Sequence, residues 1–156
     1  MKAIVSGVLD IYFTKMREPK LEELSLTDEK RLNETWCCFV TFYINGEVRW
    51  SAGHIKEIHE SLAKELISNT KQALTGDKRF TPLTLNEAEK IQFRIDKISH
   101  RTMINLADIK DIDPVKNGII AISRNYDKLA VILPNMSPKM LTGDDCRVSA
   151  VCIISV

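Results

Sequence analysis

Asn45-Gly46-Glu47-Val48-Arg49-Trp50-Ser51-Ala52-Gly53-His54, entered from the apolar run Phe39-Val40-Thr41-Phe42-Tyr43-Ile44, is the stretch that decides the fold. An Asn-Gly pair between two β-patterned runs signals a tight hairpin, because both central turn residues need φ > 0. Residues 37–44 and 47–53 are therefore expected as its strands. A two-residue turn opposes Phe42 to Arg49, Val40 to Ser51 and Cys38 to Gly53. On the other face it opposes Tyr43 to Val48, Thr41 to Trp50 and Cys37 to His54. Unless a bulge interrupts the pairing, Arg49 and Ser51 share one face while Trp50 and His54 share the other. The return strand thus carries a cation, a hydroxyl and an imidazole towards a glycine and the start of a helix.

Working outward, Ile4, Val8, Ile11 and Tyr12 recur at helical spacing and predict an amphipathic helix over residues 2–16, ended by Pro19. A short second helix is expected from the N-cap Thr27 to about Asn33. Ile58, Leu62, Leu66, Ile67, Ala73 and Leu74 predict a helix over 58–75, with Gly76 as its C′ residue. Thr84 followed by Glu87 is a capping-box pattern that places a short helix at 85–89. Ile91, Phe93 and Ile95 alternate with Gln92, Arg94 and Asp96, the pattern of a strand with one wet face. After a polar stretch with Pro114 and Gly118, residues 119–124 and 128–133 predict a second hairpin around Asn125-Tyr126-Asp127, stopped by Pro134 and Pro138. The end, residues 148–156, is apolar to its last residue and reads as either a buried last strand or the stump of a longer chain. Helices mixed with antiparallel hairpins argue for an α+β fold, an antiparallel sheet with flanking helices.

The 156 residues suit one domain, 1–156, and 44% hydrophobic with 28% charged content is ordinary for a globular protein. Twenty-two basic and 21 acidic residues are interspersed to a net charge of +1, so no basic stripe marks a nucleic-acid binder. Asp10 breaks the first apolar run before it resembles a secretory leader, and no run reaches the ~18 apolar residues of a membrane span. A cytoplasmic location without membrane or nucleic-acid partners is expected. Cys37, Cys38, Cys146 and Cys152 lack zinc spacing and are expected as free, mostly buried thiols.

Three blocks carry a family likeness. The first runs from Phe39-Val40-Thr41 through Asn45-Gly46-Glu47-Val48-Arg49 to Gly53-His54. The second is Asp77-Lys78-Arg79-Phe80-Thr81-Pro82-Leu83-Thr84, continuing through Glu87 into Ile91-Gln92-Phe93-Arg94-Ile95. The third joins Asn117-Gly118-Ile119-Ile120 to Leu129-Ala130-Val131-Ile132-Leu133-Pro134. Colinear over about residues 4–138, they make the chain resemble the AMMECR family, with residues 139–156 divergent. The resemblance implies an α+β fold in two unequal lobes with a cleft. It also implies Memo-type and radical S-adenosylmethionine proteins as partners in a modification pathway. The family's signature reads R-G-C-I-G, where this chain has Arg49-Trp50-Ser51-Ala52-Gly53. Ser51 stands at the cysteine position, and a serine without an adjacent base is a far poorer nucleophile than a thiol. Trp50 fills space that a glycine leaves open for close backbone approach.

The candidate ligand-binding residues are Arg49, Ser51, Gly53 and His54; no catalytic residue or cofactor is assigned, and no metal is expected. Arg49 is the expected anion clamp, because a planar guanidinium gives two parallel hydrogen bonds to a carboxylate or phosphate. Its competing role is an ion pair with an acid of the following helix or of the Asp77 loop. Ser51 would donate to a ligand oxygen, or else bond neighbouring groups. His54 would pair with Cys37 if the hairpin extends so far, but no third orienting group is visible. His59 has no HExxH spacing, His100 is isolated, Asp77–Phe80 reads as a structural turn and Trp50 as core. A small anionic ligand or cofactor beside the first hairpin is the leading functional expectation. The alternative is a non-catalytic interaction module that supports a partner enzyme.

Overall fold

The computed structural model describes residues 1–15, 17, 19–24, 30–123, 129–136 and 148–155. These form two compact units, Met1–Lys97 and Ile98–Val156, a helix-and-antiparallel-sheet architecture of the expected α+β class.

The hairpin of the first unit turns on Asn45 at φ 54° and Gly46 at φ 81°, both left-handed as the Asn-Gly pair requires. Strand β1, Cys38–Ile44, is joined by it to strand β2, Glu47–Gly53. Next to the turn, Ile44 pairs with Glu47 and Tyr43 with Val48, as expected. Beyond it the register slips by one, so that Phe42 pairs with Trp50, Thr41 with Ser51, Val40 with Ala52 and Phe39 with Gly53. The expected pairs Phe42–Arg49, Val40–Ser51, Cys38–Gly53, Thr41–Trp50 and Cys37–His54 are thereby replaced. Arg49 is the extra residue of a β-bulge. The reason is burial: the slip sets Trp50 beside Phe42, and both are removed from water, at 1% and 0% exposure. Each such side chain contributes about 1.5–3 kcal/mol on burial, which outweighs one disrupted ladder position.

Strand β3, Gln92–Lys97, pairs antiparallel on the other side of β1, giving the order β2-β1-β3. Phe42 lies opposite Phe93 and Val40 opposite Ile95, so the three strands present one apolar face. Helix α1, Lys2–Lys15, contributes Ile4, Val5 and Val8 to the core under that face; helix α2, Leu62–Gly76, contributes Leu62, Leu66 and Ala73. The far face of β3 is not simply wet, because Asp96 is buried and takes a 2.8 Å hydrogen bond from Arg94 Nε. Burial raises the Asp96 carboxyl above its ordinary range, and Arg94 opposes the shift.

Helix α2 begins four residues later than its apolar pattern predicts. Ser61 caps it by accepting from Lys64 N, and Leu62 N donates to Glu34 O at 2.8 Å. Ile58 stays outside, exposed, because the stripe becomes buried only from Leu62. Gly76 is the last helical residue rather than a left-handed C′; the chain leaves in extended conformation at Asp77. The capping box forms in full over helix α3, Leu85–Ala88: Glu87 N donates to Thr84 Oγ1, and Thr84 N donates to Glu87 Oε2. The helix expected after Thr27 is represented by a 3-10 turn at Lys30–Leu32; Thr27 itself lies outside the described residues.

In the second unit, strands β4 (His100–Ile104), β5 (Asn117–Ser123), β6 (Leu129–Ile132) and β7 (Val148–Ser155) form an antiparallel sheet in the order β4-β7-β5-β6. The apolar chain end is thus an interior strand, paired on both sides. The second hairpin forms between β5 and β6, and its turn residues, Asn125-Tyr126-Asp127, lie outside the described set. Strand β4 had no sequence signal, because His100-Arg101-Thr102 is polar and exposed and β4 pairs along β7 alone.

Gly53 lies where a side chain cannot. An added Cβ would press into the Phe39 ring and stand 2.6 Å from Cys38 O. Gly53→Ala should lower unfolding free energy by about 1–3 kcal/mol, the usual cost of overpacking. Gly46→Ala meets open space at φ +81° and should cost only the left-handed penalty, roughly 1–2 kcal/mol. Urea denaturation of both variants checks the assignment: Gly46→Ala should leave the native spectrum intact, whereas Gly53→Ala should perturb the Phe39 ring environment as well.

Candidate functional site

The bulge and the edge of β2 are tied to the segment that follows α2. Ser51 N donates to Asp77 Oδ2 at 2.9 Å, and Trp50 Nε1 donates to Thr81 O at 2.9 Å. Arg49 Nε lies 3.3 Å from Glu87 Oε1, while Nη2 donates to Thr81 Oγ1 at 2.8 Å. The guanidinium centre sits 4.1 Å from the Trp50 ring centroid and 5.2 Å from that of Phe80. Hydrogen bonds from Thr84, and then from Arg49, hold the Glu87 carboxyl below its usual range. Arg79, followed by the backbone of Ser51 and its own, does the same for Asp77. Two nitrogens of the Arg49 fork are therefore committed to internal partners, and the Asp77–Phe80 turn is the anchor that receives β2.

The four sequence candidates are not gathered into one cluster. The Ser51 hydroxyl hydrogen-bonds Thr41 Oγ1 at 2.9 Å, on the face opposite Trp50. Gly53 lies against Phe39 on that same face. His54 turns the other way, onto α2. Its backbone N donates to Cys38 O at 3.3 Å, so the slipped register sets it beside Cys38 rather than Cys37.

At this end of the hairpin stands a polar cluster that sequence reading did not anticipate. Glu65 of α2 is completely buried, and its Oε1 lies 2.7 Å from His54 Nδ1. Asn69, one turn on and equally buried, donates from Nδ2 to Glu65 Oε1 at 3.0 Å and to Cys38 O at 2.9 Å. His59 Nε2 approaches Glu65 Oε2 to 3.9 Å, beyond hydrogen-bond length. The two imidazoles meet edge to face with centroids 6.3 Å apart, and their side chains are 28% and 32% exposed. Glu65 Oε2 and Asn69 Oδ1 are both buried without a hydrogen-bond partner. The signal available in the sequence was Glu65 and Asn69 at i and i+4 on the stripe that holds Leu62, Leu66 and Ala73. Buried carboxylates are rare unless paired, so their place on an apolar stripe asks for partners.

Cys38 borders the cluster, with its Sγ 3.6 Å from Asn69 Nδ2. Burial pushes its thiol up to about 12, with the Asn69 amide opposing and the Glu65 charge adding to the shift. A thiol so held is protonated and inert at neutral pH. Cys37 and Cys38 are both buried thiols outside any disulfide, as expected; Cys146 and the Cys152 side chain lie outside the described set. Among the described residues, no group of three or more His, Cys, Asp or Glu side chains is arranged to hold a metal ion. None of the described helices is long and apolar enough to cross a membrane.

Chemically, the cluster joins a buried carboxylate to two partly exposed imidazoles. In the 2.7 Å contact a carboxylate oxygen accepts, so His54 Nδ1 is the donor to Glu65 Oε1.

Comparison with known proteins places this geometry in context. The AMMECR1 family model matches residues 3–152. A curated relative from Thermotoga maritima, described only as a protein, is 32% identical over 85 residues, 54% of this chain; the match spans 48% of that relative's length. The crystal structure of the uncharacterized protein PH0010 from Pyrococcus horikoshii superposes with a TM-score of 0.73 at 16% identity, over 99% of this chain and 85% of that one. At that identity the likeness is one of fold.

The Cys38 thiol provides a pH test. Its folded value, about 12, lies above the ordinary value of 9.0, so the unfolded chain loses this proton first. Stability is unaffected by this group below pH 9 and falls as pH rises from there towards 12, by up to about 1.4 kcal/mol per pH unit. Denaturant titrations at pH 8 and pH 10 should show the loss, and Cys38→Ala should flatten it.

Proposed function

The chain belongs to the AMMECR1 family, and within it we propose that this protein binds a small anionic ligand at the His54 end of its first hairpin. The observation that carries the reading is Glu65: a carboxylate at 0% exposure, one oxygen unpartnered, behind two imidazoles that reach solvent. Leaving a buried polar atom unmatched costs about 1–3 kcal/mol, and such a cost is often retained at sites that act on something else. The partly exposed His54 and His59 imidazoles supply the ring N–H donors that would meet an anion.

In this proposal His54 makes the direct contact expected of it. Gly53 and Ser51 set the strand that delivers it, and Arg49 secures the bulge that determines where the strand ends. The proposed setting is the cytoplasm, in the modification chemistry implied for Memo-type and radical S-adenosylmethionine partners of the family. An accessory and an enzymatic role share the same ligand site.

Native mass spectrometry of freshly purified protein tests the reading, beside His54→Ala, His59→Ala and Arg49→Ala. A co-purifying small mass should be retained by Arg49→Ala and lost, or bound at least about tenfold more weakly, by His54→Ala; removing one charge-assisted hydrogen bond costs about 1.5–3 kcal/mol. A mass lost only with Arg49 would move the site to the bulge. An empty wild-type protein would count against a tightly held ligand and favour the interaction module.

A further inference from the structure

The two oxygens of Glu65 are used unequally. Oε1 accepts from His54 Nδ1 at 2.7 Å and from Asn69 Nδ2 at 3.0 Å, while Oε2 is buried without a hydrogen bond, 3.9 Å from His59 Nε2. That separation is about 1 Å too long for a hydrogen bond, and a buried acceptor left unmatched is destabilising. In a neutral imidazole one ring nitrogen donates and the other accepts, and an accepting nitrogen repels a carboxylate oxygen. In the imidazolium both nitrogens donate.

His59 lies in the connection between β2 and α2, residues 54–61, which forms no helix or strand. Both ends of the connection are pinned: His54 N donates to Cys38 O at 3.3 Å, and Thr35 Oγ1 donates to Glu60 O at 3.0 Å. The groups around the ring come from every side. From α2, Glu65 faces it, and Lys64 is held in an ion pair by Glu60. Lys64, then the Glu60 backbone and His59, hold the Glu60 carboxyl below its ordinary range. From the end of β2, His54 meets the ring edge to face. From β1, the protonated Cys38 thiol stands behind Glu65, and the Asp96 charge of β3 reaches that thiol. Within the connection, Glu57 Oε1 takes a 3.9 Å contact from Cys37 Sγ, and Lys56 is exposed. Of these groups, Glu65 Oε2 alone is both buried and unmatched.

We infer that His59 is a proton-operated latch: on acidification its Nε2 takes up a proton and the ring closes onto Glu65 Oε2, fastening the β2–α2 connection to α2. The proton comes from water and returns to it, so no other reactant takes part. The new hydrogen bond exists only in the protonated form; closure therefore grows as pH falls and is undone as pH rises. Oε1 keeps His54 and Asn69, which leaves Oε2 for the second imidazole. Closure withdraws a side chain that is 32% exposed, so the accessible surface at the hairpin end changes with pH. The latch uses only groups of this chain and stands or falls apart from the ligand reading.

The test is made on the protein without added ligand, between pH 8 and pH 5, the interval in which histidine changes charge. In ¹⁵N spectra the His59 ring should become doubly protonated, with its Nε2 proton shielded from exchange with water. Amide protection of residues 55–60, corrected for the intrinsic pH dependence of exchange, should rise about tenfold or more, as a charge-assisted hydrogen bond provides. His59→Gln, at a partly exposed position, should abolish that rise while leaving the rest of the protection pattern unchanged. A rise that survives in His59→Gln would assign the response to His54 or Glu65 and overturn the latch. A His59 ring that stays neutral to pH 5, or that is protonated with no gain in protection, would overturn it equally. If the variant does not fold, the wild-type ring spectrum and protection decide between these outcomes.

Discussion

The burial of Trp50 beside Phe42 is the constraint on which the first unit depends. A two-residue Asn-Gly turn alone would send Trp50 to the face opposite the core. The extra residue at Arg49 reverses that, and every pair beyond it inherits the change. Ser51 comes opposite Thr41, Gly53 opposite Phe39, and His54 leaves the strand at Cys38 on the side of α2. One large side chain thereby determines which functional groups face which element.

The bulge also creates an attachment. Arg49 projects from the edge strand to Glu87 and Thr81, with Trp50 and Phe80 flanking its guanidinium. The Asp77 carboxylate supplies the acceptor that the Ser51 amide lacks on the open side of β2. Such coverage protects an edge that would otherwise pair with another chain. The same arrangement explains why an arginine suited to clamping an anion is occupied with holding its own fold together.

The Glu65 cluster obeys a different economy. A carboxylate and an amide in the core of a small unit tend to destabilise it unless their hydrogen bonds are complete, and here two atoms are left without partners. Polar groups so placed gain meaning from what they orient. Asn69 connects the helix to the β1 backbone at Cys38, and Glu65 connects it to His54, so α2 and the hairpin end are locked at one point. A fully buried carboxylate thus stands behind a partly exposed imidazole.

What the sequence by itself determined were the features whose causes are local. The turn at Asn45-Gly46 follows from backbone sterics, the box at Thr84 and Glu87 from reciprocal hydrogen bonds within four residues, and the α1 and α2 stripes from helical period. The apolar run at 148–156 read as either a last strand or the stump of a longer chain, and pairing makes Val148–Ser155 a strand. Only the tertiary structure decided what depends on neighbours distant in the chain. The register slip needed the core that Trp50 enters, and the late start of α2 needed the Glu34 carbonyl that receives Leu62 N. β4 needed β7 to pair with, and the interior place of β7 came from the two strands on either side of it. The candidate site divides along the same line. His54 was visible because it ends a strand, whereas Glu65, 11 residues later, became its partner only when α2 folded back over the hairpin. A hydrogen bond across that fold depends on where two elements pack, and neither element's own sequence specifies the distance between them.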